Sequence, residues 1–306
     1  MSFKTFLLTL FLGVFVFSSP HESLAKKKDK DEKAAKDTLV GKLNAFKWRS
    51  LGPAWASGRI ADFAVNPDNY SEYYVAVASG NVWKTTNHGV TFKPIFDNYG
   101  AYSIGCVTMD PNNHNVIWVG TGENNHQRAL VYGNGVYKSV DGGRNWQIMN
   151  RGLPKAASVH KVIFDLDDSE TLYAALLAQG TEKGGLYKSN NGSKRWQKIS
   201  LPEEVNQVID LHKDQDGKLY IATGTVNGDI EEGGVWVSED GGGNWSKIFH
   251  MPLVVKVTTA PYNSNRIMAL VRPNETIDLL NPGIYLSEDG GENWIKINTE
   301  LAGRTT

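Results

Sequence analysis

One eight-residue motif returns five times along the chain at an almost fixed interval, and this recurrence limits the fold more than any other feature. Ser139-Val140-Asp141-Gly142-Gly143-Arg144-Asn145-Trp146, Ser238-Glu239-Asp240-Gly241-Gly242-Gly243-Asn244-Trp245 and Ser287-Glu288-Asp289-Gly290-Gly291-Glu292-Asn293-Trp294 are close copies. Thr85-Thr86-Asn87-His88-Gly89-Val90-Thr91-Phe92 and Ser189-Asn190-Asn191-Gly192-Ser193-Lys194-Arg195-Trp196 are worn ones. Counted on the third position (Asn87, Asp141, Asn191, Asp240, Asp289), the steps are 54, 50, 49 and 49 residues. A period near 50 marks stacked supersecondary units, none of which buries its apolar faces alone.

Each copy follows a short β-rich run that opens on glycine, such as Gly135-Val136-Tyr137-Lys138 or Gly283-Ile284-Tyr285-Leu286. Two further apolar, β-branched runs lie upstream, and a fourth begins at the motif aromatic. Four short strands per repeat, separated by Gly, Asn and Asp turns, predict an antiparallel meander. The predicted class is all-β, a β-propeller of four-stranded antiparallel blades. Five blades are expected, over about 59–97, 103–150, 158–200, 205–250 and 254–299. The first strand of each blade is innermost, and the motif falls in the turn between third and fourth strands.

That placement assigns the motif residues structural work. Asn87, Asp141, Asn191, Asp240 and Asp289 accept backbone N–H groups of their own turn. The glycines permit a positive φ. Trp146, Trp196, Trp245 and Trp294 pack over the hairpin and give their indole N–H to a nearby carbonyl. Calcium competes as an explanation, but one carboxylate per turn supplies too few oxygen ligands, so no metal and no cofactor is expected.

Residues 1–25 read as a secretory signal peptide: Lys4 precedes an uncharged apolar run over 6–17, too short for a membrane span, and Ser23-Leu24-Ala25 offers a cleavage site. Residues 26–44 form a Lys-rich charged tether, and the propeller takes 45–306. The expected location is therefore secreted or periplasmic, with no membrane span once the signal is removed. With 32 basic and 33 acidic residues, nothing in the charge balance favours nucleic acid. Cys106 is the only cysteine, so no internal disulfide forms, and its place on an inner strand predicts a buried thiol. Residues 46–52 are a spare strand before the first blade, although the fifth blade already owns a fourth strand. The expectation is an unfinished ring, a piece of a larger propeller.

Turns alternate between the two faces of a propeller. The motif turns occupy one face; the links between blades and the second-to-third-strand loops occupy the other. Those loops are uneven and polar, which makes them the expected binding elements. The richest runs through Glu123, Asn124, Asn125, His126 and Arg128, with Trp55, Arg59 and Tyr102 expected nearby in the ring. Such a set suits a glycan, peptide or protein partner outside the cytoplasm. The plainer alternative is that Glu123 pairs with Arg128 and holds its loop shut. Acids on other loops (Asp229, Glu231, Glu232, Asp278) leave room for a glycosidase carboxylate pair, with Glu123 as the candidate acid.

The motif S-x-D-x-G-x-x-W resembles the Asp-box, or BNR repeat, of sialidases, xyloglucan-degrading glycoside hydrolases, photosystem assembly propellers and the sortilin N-terminal domain. Trp48-Arg49-Ser50-Leu51-Gly52-Pro53, Ser57-Gly58-Arg59-Ile60 and Gly120-Thr121-Gly122-Glu123-Asn124-Asn125 are similar to segments of long secreted bacterial sortilin-like BNR proteins. The resemblance implies a propeller in which the boxes are structural. It does not carry over the enzymes' machinery. Where xyloglucan hydrolases hold a catalytic Asp, Val77-Ala78-Ser79-Gly80-Asn81 has no acid, and no sialidase arginine triad can be assigned. The sortilin likeness concerns the propeller alone. The leading expectation is an exported, non-catalytic binding propeller. The alternatives are a glycoside hydrolase, xyloglucanase-like or sialidase-like, or its N-terminal fragment, and a truncated gene product without activity of its own.

Overall fold

The computed structural model describes residues 58–123, 133–155, 158–165, 168–177, 184–224, 232–273 and 282–297. Every described residue lies in the unit Ala56–Thr306. The expected signal peptide, the charged tether and the spare strand at 46–52 lie outside the described residues.

Among the described residues, twenty strands form five separate four-stranded antiparallel sheets. Blade 1 is β1 (Ile60–Val65), β2 (Tyr73–Val77), β3 (Asn81–Thr85) and β4 (Lys93–Pro94). Blade 2 is β5 (Ile104–Met109), β6 (Ile117–Thr121), β7 (Val136–Ser139) and β8 (Gln147–Ile148). Blade 3 is β9 (Ser158–Phe164), β10 (Leu172–Leu177), β11 (Gly185–Ser189) and β12 (Gln197–Lys198). Blade 4 is β13 (Val208–Lys213), β14 (Leu219–Thr223), β15 (Gly234–Ser238) and β16 (Ser246–Phe249). Blade 5 is β17 (Val254–Ala260), β18 (Asn263–Val271), β19 (Gly283–Ser287) and β20 (Ile295–Lys296). Each sheet is a simple meander in chain order, as the four-run repeat predicts.

Side chains alternate across each strand, so every blade carries two apolar faces. Four buried clusters fill the four junctions between consecutive blades. Tyr74, Ala76 and Phe96 of blade 1 meet Ile104, Val107 and Trp146 of blade 2. Trp118 and Val136 of blade 2 meet Phe164, Leu172 and Trp196 of blade 3. Tyr173 and Leu186 of blade 3 meet Leu211, Leu219 and Trp236 of blade 4. Tyr220, Val235 and Phe249 of blade 4 meet Val257, Ile267 and Tyr285 of blade 5. The inner strands pack in order, β1 on β5, β5 on β9, β9 on β13 and β13 on β17, and no comparable packing joins β17 to β1. Among the described residues the blades therefore form an open arc; the segments flanking its two ends lie outside the described residues.

The motif turns close as the residue types require. Ser139 Oγ donates to Asp141 Oδ1 at 2.9 Å and accepts Gly143 N–H at 2.9 Å. Asp141 Oδ1 also accepts the N–H groups of Arg144 and Asn145 at 3.0 and 2.9 Å, and Oδ2 accepts Asn145 Nδ2 at 2.6 Å. Asp240 repeats this set, and Asp289 repeats the bonds from Ser287 Oγ, Asn293 N–H and Asn293 Nδ2. In the worn copies an amide oxygen does the same work: Asn87 Oδ1 accepts Thr91 N–H at 2.9 Å and Asn191 Oδ1 accepts Arg195 N–H at 3.0 Å. The indole partners reach beyond the hairpin itself, although Trp294 also donates to Gly291 of its own turn at 3.1 Å. Trp146, Trp196 and Trp294 donate to Ile95, Met149 and Ile248, all on the preceding blade. The motif thus stitches blade to blade as well as closing its own turn. Trp245 is the exception, with its Nε1 buried and unpartnered.

Candidate functional site

The face opposite the motif turns is built around the blade 1–blade 2 junction. Arg59 stands just before β1, where its carbonyl accepts Ala78 N–H at 2.8 Å at the far end of β2. Ser103 Oγ donates to the Ala78 carbonyl, and Gly122 N–H donates to the Ser103 carbonyl at 2.8 Å. Asn81 N–H, at the start of β3, donates to the Tyr102 carbonyl at 3.1 Å. These backbone bonds fix the ends of β1, β2, β5 and β6 against one another. They leave Glu123, next after Gly122, facing Arg59.

Glu123 and Arg59 form an ion pair through Oε1 and Nη2; the Glu123 side chain is 5% exposed and that of Arg59 45%. A buried carboxylate therefore holds a half-exposed guanidinium in place. Tyr102 is exposed, and its carbonyl accepts Asn81 N–H at the start of β3. The structure thus joins two of the sequence-predicted residues, Arg59 and Glu123. The partner of Glu123 is Arg59; Arg128, together with Trp55, Asn124, Asn125 and His126, lies outside the described residues, as do Asp229, Glu231 and Asp278. Tyr99 belongs to the seam between blades: its ring stacks on Phe96, and its hydroxyl accepts Trp146 N–H at 3.0 Å.

A second arrangement lines the inner strands, and sequence reasoning passed over it. Each inner strand carries a β-bulge near its start. The residues just beyond the bulges are Asp62, Cys106, Lys161, Asp210 and Lys256. Asp62 Oδ2 accepts Val107 N–H at 3.3 Å from the next inner strand and Lys161 Nζ at 3.1 Å from the one after. Asp210 also accepts from an N–H and an ammonium, Val257 N–H at 3.2 Å and Lys256 Nζ at 3.2 Å, both on the next inner strand, β17. Burial opposes the charge on Lys161, but Asp62 and Asp210 outweigh it, and the ammonium pKa is raised. Cys106 is buried, as expected; burial first, then the Asp62 charge, pushes its thiol up to about 12. Aligning the repeats on the bulge position would have exposed this acid–base alternation. On the motif face a groove of about 460 Å³ opens at the blade 1–blade 2 seam, lined by Lys84, Lys93, Asp97 and Arg144. Lys84 is already engaged by Glu72 at 2.7 Å.

The family described as Sortilin-Vps10 (sortilin, neurotensin receptor 3) matches residues 134–278. No curated protein matches the chain. Among solved structures, an ancestral GH74 enzyme superposes with a TM-score of 0.63 at 21% identity, over 83% of this chain and 33% of that one. The GH74 xyloglucanase from Xanthomonas campestris gives 0.58 at 19% identity, over 78% of this chain and 38% of that one. YCF48 bound to D1 peptide gives 0.53 at 15% identity, over 81% of this chain and 70% of that one. The chain thus spans little more than a third of the length of the GH74 enzymes it matches. At these identities the similarity concerns the fold: an Asp-box β-propeller of the kind the repeat predicts. Among the described residues no helix is long and apolar enough to cross a membrane.

Proposed function

We propose that the chain is an exported, sortilin-like Asp-box propeller segment that binds a glycan, peptide or protein through the face carrying Arg59, Tyr102 and Glu123. One observation carries the reading: the guanidinium of Arg59 is half exposed yet anchored by a carboxylate buried beneath it. Fixing the fork in advance removes much of the entropy cost of using it, and a fixed guanidinium pairs well with carboxylates and hydroxyls. Tyr102 adds an exposed amphipathic ring in the link between blades 1 and 2. The peptide-bound YCF48 structure supports ligand binding as a use of this fold.

The second reading, a glycoside hydrolase or a fragment of one, draws on the likeness to the xyloglucanase. Glu123 would be its acid. The ion pair counts against it, because the Glu123 carboxylate is committed to orienting Arg59. A glycan and peptide array separates the two. For a ligand that engages the guanidinium, Arg59→Ala is expected to weaken binding about tenfold to a hundredfold, since hydrogen bonds to charged groups contribute about 1.5–3 kcal/mol. Tyr102→Ala is expected to weaken it as well. Binding indifferent to both substitutions would remove the site, and xyloglucan hydrolysis abolished by Glu123→Gln would establish the enzyme instead.

A further inference from the structure

Three of the four seams between described blades carry the same lysine. On the face turned to the next blade, the third strand pairs a lysine with an aromatic of the second strand: Lys84 with Tyr74, Lys138 with Trp118 and Lys188 with Tyr173. Each ammonium lies over its partner's ring, 5.0, 4.5 and 5.2 Å from the centroid. Each also reaches the motif turn of the next blade. Lys84 Nζ donates to the Gly142 carbonyl at 3.3 Å and Lys138 Nζ to the Gly192 carbonyl at 3.4 Å. Lys188 Nζ comes to the same place, 3.5 Å from where a Cβ on Gly241 would stand.

The seam between blades 4 and 5 keeps the seat and has no lysine for it. Tyr220 holds the aromatic position, but its cross-strand partner is Val237. Val237 packs on the cluster that contains Tyr220 and ends at Cγ, short of the place that Nζ takes at the other seams. Gly290 answers to Gly142, Gly192 and Gly241, and among the described residues the one atom near its Cβ position is Asn265 Oδ1, at 3.5 Å. A groove of about 630 Å³ opens here on the motif face, lined by Tyr220, Val237, Ile248 and Gly290. Asp216, Glu239 and Asp240 also line it, and Asp240 is occupied within its own turn. Lys218, the cation among its lining residues, is partly exposed and paired with Glu239. The charges on the two kinds of seam differ to match. Burial first, then Asp214, Asp216 and Glu239, raise the pKa of the Tyr220 phenol. At Tyr74 the Lys84 ammonium works against burial.

We propose that the groove between blades 4 and 5 takes a lysine side chain from a basic peptide or protein partner, which supplies from outside the contact that Lys84, Lys138 and Lys188 make from within. The aliphatic stem lies along Val237 and Ile248, and the ammonium meets the Gly290 carbonyl and the carboxylates of Asp216 and Glu239. The groove is on the face opposite Arg59 and Glu123, so it stands independently of the site described there.

Fluorescence anisotropy of a fluorescein-labelled tetralysine peptide, titrated with the full chain at about 0.1 M salt, tests this; distant charges are screened there, since the Debye length is about 10 Å. The peptide is expected to bind, and its tetra-acetyllysine counterpart is not. Val237→Lys fills the seat from within and is expected to weaken binding about tenfold while keeping the β circular dichroism of the parent. Asp216→Asn combined with Glu239→Gln, both at exposed positions, is expected to weaken it about threefold to tenfold. Val140→Lys adds the same charge at an exposed position on the blade 2 motif turn and is expected to leave binding unchanged. Failure of the tetralysine peptide to bind overturns the proposal. So does binding that survives Val237→Lys in folded protein, binding that survives the double substitution, or binding that Val140→Lys weakens as much as Val237→Lys does. If Val237→Lys loses the parent's circular dichroism, the double substitution decides.

Discussion

At the scale of the residue, the five motif copies explain one another. Where the third position is Asp, the eighth-residue turn is completed by an asparagine donor, Asn145, Asn244 or Asn293. Where it is Asn87, whose Nδ2 must itself donate, Thr91 Oγ1 accepts it at 2.9 Å. Asp141→Asn is therefore expected to set two amide donors against each other and lower the urea midpoint, and Asn145→Thr in the same chain is expected to recover most of the loss. The carboxylates also predict acid sensitivity. Hydrogen bonds from Asn145 and Asn293 hold Asp141 and Asp289 at about 2, and those from Asn244 bring Asp240 below the usual carboxylate range. The unfolded carboxyl titrates near about 3.9. Folded values below it mean stability that is full above about pH 4 and lost as the pH falls toward 2; urea midpoints measured from pH 7 to 2 check this. The indoles give a matched pair. Trp196→Phe leaves the Met149 carbonyl without its donor and is expected to cost about 1 kcal/mol, whereas Trp245→Phe deletes an N–H that has no partner and is expected to cost less. Thermal denaturation of the two variants compares them directly.

At the scale of the element, the inner strands set the tolerance of the arc. A Cβ on Gly105 in β5 would stand 2.2 Å from the Val159 carbonyl in β9. Gly105→Ala is expected to force the two inner strands apart and destabilise by about 1–3 kcal/mol, read from the denaturant midpoint. The strands, their order within each blade and the motif turn were all legible in the sequence, because local features encode them: two-residue alternation, a glycine before each third strand, an Asp or Asn in each turn. What joins the blades was less legible. The acid–base ladder depends on a bulge that shifts the register by one residue, and Asp62 meets Lys161 across 99 positions of chain. Strand periodicity carries no trace of such a partner. The Arg59–Glu123 pair was half visible: both residues stood out as candidates by chemical type and by loop, but which cation would meet the acid depends on how two blades are rotated against each other. The indole bonds show the same division. That an N–H would find a carbonyl follows from burying the ring, and the blade that supplies it does not.

At the scale of the whole molecule, the arc behaves as a short one-dimensional stack, in which each blade is stabilised by its neighbours. Among the described residues blades 2, 3 and 4 are flanked on both sides and blades 1 and 5 on one, so stability should fall outward from the middle. Native-state hydrogen exchange is expected to show the slowest amides in β9 and β10 and faster ones in β2 and β18; uniform protection across all five sheets would mean that the arc opens only as one unit. The sole cysteine supplies a second readout of the same process. Cys106 lies in the inner row between Asp62 and Lys161, which bridge from blade 1 to blade 3 beside it, and both charges act on its thiol. While the inner strands stay packed, its high pKa and burial keep it from reacting. Thiolate forms once those strands part, so the rate of labelling by a disulfide reagent, followed against pH and urea, times the opening of the inner row without any probe having to be introduced.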